Sequence, residues 1–107
     1  MKTLKFREAL SRLVLKGEKN VTWRLFDNKN ITKGDVVSLV VWETGKEFAK
    51  AKITSVIEKK FSEMKASDFD GHEKFSSDKE MYETYSRYYD CEVNGETIVK
   101  IIGFELV

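Results

Sequence analysis

The chain contains no proline and no glutamine, one cysteine (Cys91) and one histidine (His72). A single cysteine cannot form an internal disulfide, and one cysteine with one histidine supplies too few ligands for a Cys/His zinc site. We therefore expect no metal and no other cofactor. The lack of a disulfide framework is typical of a reducing compartment, so we expect a cytoplasmic protein.

Long apolar runs are also missing. The longest, around residues 36–42, is interrupted by Ser38 and is far shorter than the roughly 20 residues that span a bilayer. The opening residues 1–7 alternate apolar with basic side chains and contain no apolar core of signal-peptide length. The sequence predicts neither a targeting segment nor a membrane partner.

Charge of one sign does not dominate either. The 19 basic and 18 acidic residues leave a formal net charge of +1, which excludes a basic tail that binds nucleic acid through its overall charge. Any attraction to phosphate must come from a local patch. The many Lys and Glu residues, together with few thermolabile side chains and no glutamine, favour a heat-adapted source.

At 107 residues, 41% of them hydrophobic, the chain can build one core, and we expect a single domain over 1–107. No linker or repeat interrupts the sequence. We expect a monomer, with a dimer as the alternative.

Helical spacing of Leu10, Leu13 and Val14 predicts a helix over 7–16 that ends at Gly17. Alternation of apolar residues then predicts a strand over 18–26, with Val21, Trp23 and Leu25 facing the core. Thr22 and Arg24 would share its opposite face.

The remaining pattern predicts strands at 3–6, 36–42, 48–57 and 97–107, with a bulge or strand end at Val56–Ile57. A helical turn follows through Phe61, Met64 and Phe69, and a second helix begins at Ser76 or Ser77. The predicted order of elements is a strand and a helix, then four strands, two helices and a final strand. It predicts an α+β fold: a small, curled or barrel-like, mostly antiparallel sheet with about three flanking helices.

The segment from Gly17 to Arg24 places Lys19, Thr22 and Arg24 within six residues. A solvated turn followed by an edge strand accounts for these residue types equally well. The segment is not a Walker phosphate loop, because the pattern G-x-x-x-x-G-K-[ST] is absent.

Gly17-x-Lys19-x-x-Thr22-x-Arg24 resembles the G-x-K-x-x-T-x-R motif of the ASCH domain family, which is related to the PUA-like RNA-associated barrels. The resemblance extends over nearly the whole chain, through the preceding helix, Lys33-Gly34-Asp35 before a strand, and the Tyr-rich helix. It implies a PUA-like β-barrel and a cleft in which the motif residues gather.

The same resemblance implies a role linked to RNA. Some small members of the family are amidohydrolases that remove the acetyl group from acetylcytidine. Others have been proposed as RNA-binding modules or ribonucleases. By the match of motifs, Lys19 and Thr22 are catalytic, with Asp70 or, as the alternative, Glu73 as the acidic residue. Arg24 and Gly17 would bind substrate or phosphate.

Chemistry alone is consistent with this set. The Thr22 hydroxyl is a weak nucleophile that needs a base. Lys19 can act as that base only if its pKa falls from about 10.4 toward about 7–8. A nucleoside or RNA is then the expected ligand. Non-catalytic RNA binding in the same cleft is the alternative, and a ribonuclease is weaker because a second histidine is missing.

Other conspicuous residues have ordinary interpretations beside functional ones. His72 is expected in a loop or at the cleft edge, Cys91 as a structural thiol, and Trp23 in the core. Tyr82, Tyr85, Tyr88 and Tyr89 form either a buried helix face or a stacking platform for bases. Trp42 is a further stacking candidate near a hairpin tip. Lys50, Lys52, Lys59 and Lys60 form either a solvated strand edge or a stripe that follows phosphates.

Overall fold

The computed structural model describes residues 1–26, 29–72 and 74–107. Its strands are β1 (Thr3–Phe6), β2 (Val21–Arg24), β3 (Val36–Val41), β4 (Glu47–Lys60) and β5 (Ile98–Leu106). Its α-helices are α1 (Glu8–Leu15) and α2 (Asp78–Tyr89), and two short 3₁₀ helices cover Phe61–Glu63 and Ala66–Phe69. No helix in these ranges is long and apolar enough to cross a membrane.

The five strands form one curled sheet in the order β1-β3-β4-β5-β2. Strands β1 and β3 are parallel, and the other three neighbouring pairs are antiparallel. The prediction of an α+β fold with a curled, mostly antiparallel sheet is confirmed. Because β1 and β2 are the two edges of a half-barrel, the curl brings the first strands of the chain toward each other.

Strand β4 is longer than the sequence predicted, since it continues to Lys60 and pairs with both β3 and β5. Its register shift against β5 lies between Ile53 and Ser55, not at Val56–Ile57. Gly103 faces this irregularity, and a Cβ atom there would lie 2.5 Å from the Ser55 Oγ. The bulge lets the sheet bend where a side chain on β5 would obstruct it.

Two apolar clusters fill the sides of the sheet. The first is formed by α1 and the inner face of β1, β3, β4 and β5, and it includes Leu4, Phe6, Val14 and Leu39. The second lies beneath α2 and includes Trp23, Leu25, Met81 and Tyr85. Strand β2 contributes only to the second cluster, and its Thr22 belongs to neither.

The described residues form two α-helices and two short 3₁₀ helices, whereas about three helices were expected. Helix α2 begins after Ser77, whose Oγ accepts a hydrogen bond from the Glu80 backbone N–H at 3.1 Å. The segment with Phe61, Met64 and Phe69 forms the two 3₁₀ helices instead of one α-helix. Between α1 and the two 3₁₀ helices, three strands (β2, β3 and β4) occupy the central run where four were expected.

Lys59 fastens the second 3₁₀ helix to the end of β4. Its Nζ lies 2.9 Å from the carboxylate of Asp68, and both side chains are largely buried. Burial alone would raise the pKa of Asp68, but the Lys65 backbone N–H and the Lys59 ammonium hold that pKa below its ordinary value of 3.8.

This depressed pKa predicts an acid-dependent loss of stability. A carboxylate with a lowered folded-state pKa stabilises the fold above its unfolded pKa, and the contribution disappears as the pH falls through the folded value. The free energy of unfolding should therefore decrease below about pH 4. Chemical denaturation over this range should show a shallower decrease for Asp68→Asn than for wild type. Parallel curves for the two proteins would contradict the prediction.

Candidate functional site

A cavity of about 340 Å³ lies where the two edges of the sheet approach each other. This volume is near the lower end of the roughly 300–1,000 Å³ typical of small-molecule sites. Its walls come from β1 and the start of α1, from β2 with Lys19 ahead of it, and from α2. The lining residues are Lys5, Phe6, Arg7, Leu10, Lys19, Thr22, Trp23, Arg24, Lys29, Trp42, His72, Tyr85, Tyr88 and Tyr89.

Arg24 connects the two edges of the sheet. Its Nη2 donates to the backbone oxygen of Lys5 at 2.8 Å, and its guanidinium carbon lies 4.9 Å from the centre of the Phe6 ring. Its Nε donates to the Thr22 Oγ1 at 3.2 Å. One side chain thus holds β1 beside β2 and places a positive charge next to the Thr22 hydroxyl.

Lys19 is buried, with only 2% of its surface exposed. Its Nζ donates to the backbone oxygen of Val21 at 2.8 Å, so the side chain lies along the start of β2. Thr22 is also buried, at 4% exposure. Both side chains line the cavity, so Thr22 belongs to a polar wall and not to the apolar core.

The loop at Gly71 fixes the entry to β2. The backbone oxygen of Gly71 accepts hydrogen bonds from the backbone N–H groups of Asn20 and Val21, at 3.0 and 3.1 Å. Gly71 has a φ of +76°, and a Cβ there would meet the Asn20 side chain. Glycine therefore lets this loop lie against the residues between Lys19 and Thr22.

His72 follows in the same loop and forms part of the buried wall. Its ring stacks on Trp23 with the ring centres 3.8 Å apart, and its Nε2 lies 3.2 Å from the Tyr85 hydroxyl. This layer joins the loop, β2 and α2. It gives the cavity a rigid aromatic side.

The charge of the cavity is strongly one-sided. Five of its lining residues are basic, and among the described lining residues none is acidic. The whole chain has a net charge of only +1. The positive charge that the overall composition lacks is therefore concentrated where an anion could enter.

The structure brings together Lys19, Thr22 and Arg24 of the five described residues that the sequence proposed. Gly17 is exposed, has a φ of +79° and ends α1, so it lies apart from the lining. Asp70 is also exposed and is not a lining residue. The alternative carboxylate, Glu73, lies outside the described residues.

The comparisons with known proteins point to one fold. No protein-family model matches the chain, and no curated protein matches it either. The solved structure of an ASCH domain from Lactobacillus crispatus superposes with a TM-score of 0.72 at 16% identity, over 98% of this chain and 79% of that one. The chain has the fold of an ASCH domain.

Two further structures share this ASCH fold. A hypothetical protein is 26% identical, with a TM-score of 0.75 and 100% of both chains covered. A protein from Enterococcus faecalis is 15% identical, with a TM-score of 0.77 over 92% of this chain and 70% of that one. The expected ASCH-type architecture is thus confirmed.

Sequence reasoning did not place Lys5, Arg7 and Lys29 in the cavity of this ASCH fold. They lie on β1, at its end and after β2, and no local pattern connects residues so far apart in sequence. Their positive charge was the one property in the sequence that could have suggested a place in an anion-binding cavity. Their assembly depends on the curl of the sheet, which brings β1 and β2 together.

Gly71→Ala is expected to destabilise the fold by about 1–2 kcal/mol, because an L side chain is strained at positive φ. It should also weaken ligand binding, because the new Cβ displaces Asn20 beside the cavity. Gly45→Ala is the matched control: Gly45 has a φ of +74°, but a Cβ atom there would meet nothing within 4 Å. Thermal unfolding should show a loss for both, larger for Gly71→Ala because Asn20 must also move, and only Gly71→Ala should reduce affinity.

Proposed function

We propose that this chain is an amidohydrolase that removes an acyl group from the exocyclic amine of a cytidine-type nucleoside. The observation that supports this most is the convergence of Lys19, Thr22 and Arg24 on one cavity, with the Arg24 Nε donating to the Thr22 Oγ1 at 3.2 Å. Thr22 is the nucleophile and Lys19 the base. The resemblance to acetylcytidine amidohydrolases supplies the class of substrate.

The proposed reaction begins at the carbonyl carbon of the acyl group. Thr22 Oγ1 attacks this carbon while neutral Lys19 takes the hydroxyl proton. The tetrahedral intermediate then collapses, the C–N bond breaks, and Lys19 returns the proton to the leaving exocyclic nitrogen. Water then attacks the carbonyl carbon of the Thr22 ester while Lys19 takes its proton. The C–O bond to Thr22 breaks, Lys19 returns the proton to Thr22 Oγ1, and the carboxylic acid leaves.

Arg24 has an electrostatic role in this scheme. Its positive charge beside Thr22 Oγ1 stabilises the negative charge that develops as the hydroxyl loses its proton. Lys19 and Thr22 are both buried in the same cavity, which supports pairing them as base and nucleophile. A single lysine carries all the proton transfers, so the scheme assigns no step to Asp70 or Glu73.

The acyl substrate is also chemically suitable. An amide on an aromatic amine has a better leaving group than a peptide bond, because the ring stabilises the departing nitrogen. Trp23, His72 and Tyr85 form an aromatic wall of the cavity, which gives a pyrimidine apolar ring surface to contact.

The direct test is an assay of the wild-type chain with acetylcytidine, in which cytidine and acetate are quantified as products. Acetylated lysine and acetanilide serve as comparison amides. Release of equal amounts of cytidine and acetate, with little cleavage of the comparison amides, is the expected result. Binding of cytidine with no acetate released would contradict the hydrolase proposal.

That last outcome describes a second candidate function. The five basic residues around the cavity favour a non-catalytic RNA-binding module in which phosphate and base occupy the same space. The two functions make different demands on Lys19. A base must lose its proton at working pH, whereas a phosphate-binding residue stays charged.

A further inference from the structure

We propose that the mouth of the cavity is a phosphate subsite, so the ligand is a pyrimidine nucleoside that carries a phosphate ester. This inference rests on the proposed function for the identity of the base and names its substrate more closely. The subsite itself consists of Lys5, Arg7 and Lys29, none of which takes part in the reaction described above.

The lining residues separate by exposure into a floor and a mouth. Lys19, Thr22 and His72 are buried, together with Trp23 and Tyr85. Lys5, Arg7 and Lys29 are exposed, and so are Trp42 and Tyr88, at 54% and 53%. The reacting groups proposed above therefore lie inside, and the additional charge lies at the entrance.

The three cations of the mouth follow one edge of the sheet. Lys5 and Arg7 are two residues apart at the end of β1, which places them on the same side of an extended chain. The Lys29 Nζ donates to the backbone oxygen of Thr3 on the same strand. Three positive groups thus stand along β1.

Two acidic side chains near this edge, within the part of the chain that the structure describes, have partners outside the cavity. Both carboxylate oxygens of Glu43 accept from the Glu8 backbone N–H at the start of α1, at 3.0 and 3.3 Å. Glu8 pairs with Arg12 at 2.9 Å. Neither acidic residue lines the cavity, so the charge at the mouth favours an anion.

Phosphate is the anion that suits this arrangement. A cavity of about 340 Å³ is of a size for one nucleoside, and the phosphate of a nucleotide projects from the sugar away from the base. With the base on the aromatic floor, that phosphate would reach the cations of the mouth. Its several oxygens can accept charge-assisted hydrogen bonds from more than one of them.

The phosphate could belong to an RNA strand or to a free nucleotide, and the exposed Trp42 at the mouth distinguishes the two. Arg7 stacks over the Trp42 ring, with its guanidinium carbon 3.9 Å from the ring centre. Trp42 therefore stands beside the cations, where the neighbouring base of an RNA strand could stack. A free nucleotide would leave this surface unused.

The test compares binding of cytidine, cytidine 5′-monophosphate and a short oligocytidine by tryptophan fluorescence. Both tryptophans of the chain line the cavity, so either can report occupancy. The variants are the pair Lys5→Gln with Arg7→Gln, and a control pair of equal charge change, Lys50→Gln with Lys52→Gln, on exposed positions of β4. Inorganic phosphate is the fourth probe.

For wild type at low salt, the monophosphate should bind about tenfold or more tightly than cytidine, because two or more charge-assisted contacts are added. This ratio should approach one in the mouth variant and at high salt, and it should be retained in the β4 variant. A ratio near one in wild type, or an equal loss in both variants, would overturn the proposal.

Two further outcomes separate the proposal from the proposed function. Binding needs no turnover, so a retained monophosphate preference without acetate release supports the subsite and refutes the hydrolase. Hydrolysis of acetylcytidine with no such preference refutes the subsite alone. If the oligocytidine binds more tightly than the monophosphate and Trp42→Ala removes only that gain, the source is RNA. Equal affinities indicate a free nucleotide.

Discussion

Lys19→Arg is expected to abolish turnover of acetylcytidine while changing nucleotide affinity little. Arginine retains the positive charge but cannot give up its proton, so it cannot act as the base. Loss of general-base catalysis should reduce the rate about 10²–10⁴-fold, which corresponds to roughly 3–5 kcal/mol of activation free energy. If Lys19 only binds phosphate, the same substitution should be mild in every assay.

The measurement combines steady-state kinetics with fluorescence titration of cytidine 5′-monophosphate. Lys16→Arg is the matched control, because Lys16 is exposed at the end of α1 and does not line the cavity. Since Lys19 is buried, thermal unfolding of both variants must show that the larger side chain is accommodated. Full hydrolysis by a folded Lys19→Arg protein would exclude Lys19 as the base.

The dependence of the wild-type rate on pH gives a second measure of the same residue. A base must be neutral to accept a proton, so a base role for Lys19 predicts that kcat/KM rises with pH. The rise should be absent from any residual activity of Lys19→Arg. A flat wild-type profile would contradict the assignment.

Thr22→Val should reduce hydrolysis by about 10³-fold or more, because the nucleophilic oxygen is removed. Valine has nearly the shape of threonine and leaves no cavity at this buried position. The substitution also removes the oxygen that accepts the hydrogen bond of the Arg24 Nε, which should cost about 1–3 kcal/mol of stability. Affinity for the nucleotide should nevertheless remain measurable.

Thr22→Ser distinguishes the contribution of the Thr22 hydroxyl to turnover from that of its methyl group. Serine retains the nucleophile and the acceptor for Arg24, so we expect its turnover to lie within about tenfold of wild type. Rapid quenching with acetylcytidine should reveal an acetyl group on the peptide that contains residue 22 in wild type and none in Thr22→Val. Equal turnover by Thr22→Val and wild type would require direct attack by water.

Local periodicity was sufficient to predict much of the fold. The alternation around Trp23 placed that residue in the core, and the spacing of Leu10, Leu13 and Val14 located α1, since both patterns depend on neighbours in sequence. The 3₁₀ helices were harder, because Phe61, Met64 and Phe69 are spaced much as an α-helix would space them. In the second of them Asp68 pairs with Lys59 of β4, a contact between elements that the spacing of apolar residues does not reveal.

The sequence predicted the candidate site only where its residues are close to one another along the chain. Thr22 and Arg24 are two residues apart on one strand, so their shared face follows from strand geometry, and their hydrogen bond agrees with it. His72 lies far from Trp23 in sequence, and no spacing rule anticipates that their rings stack. Along the Tyr-rich helix, Tyr85 is buried in the core and Tyr88 is exposed among the residues that line the cavity.

The way in which β1 and β2 meet has a consequence for the dynamics of the sheet. Side chains of Arg24 and Lys29 reach backbone oxygens across this line, at Lys5 and Thr3, whereas the adjoining strands are joined by ladders of backbone hydrogen bonds. The edges can therefore separate transiently without rupturing a ladder, and backbone amides there should exchange with deuterated solvent sooner than those between β4 and β5. The phosphate proposed above would compete with those two carbonyl oxygens for the same cations. Its binding would then be coupled through two side chains to the opening of the half-barrel.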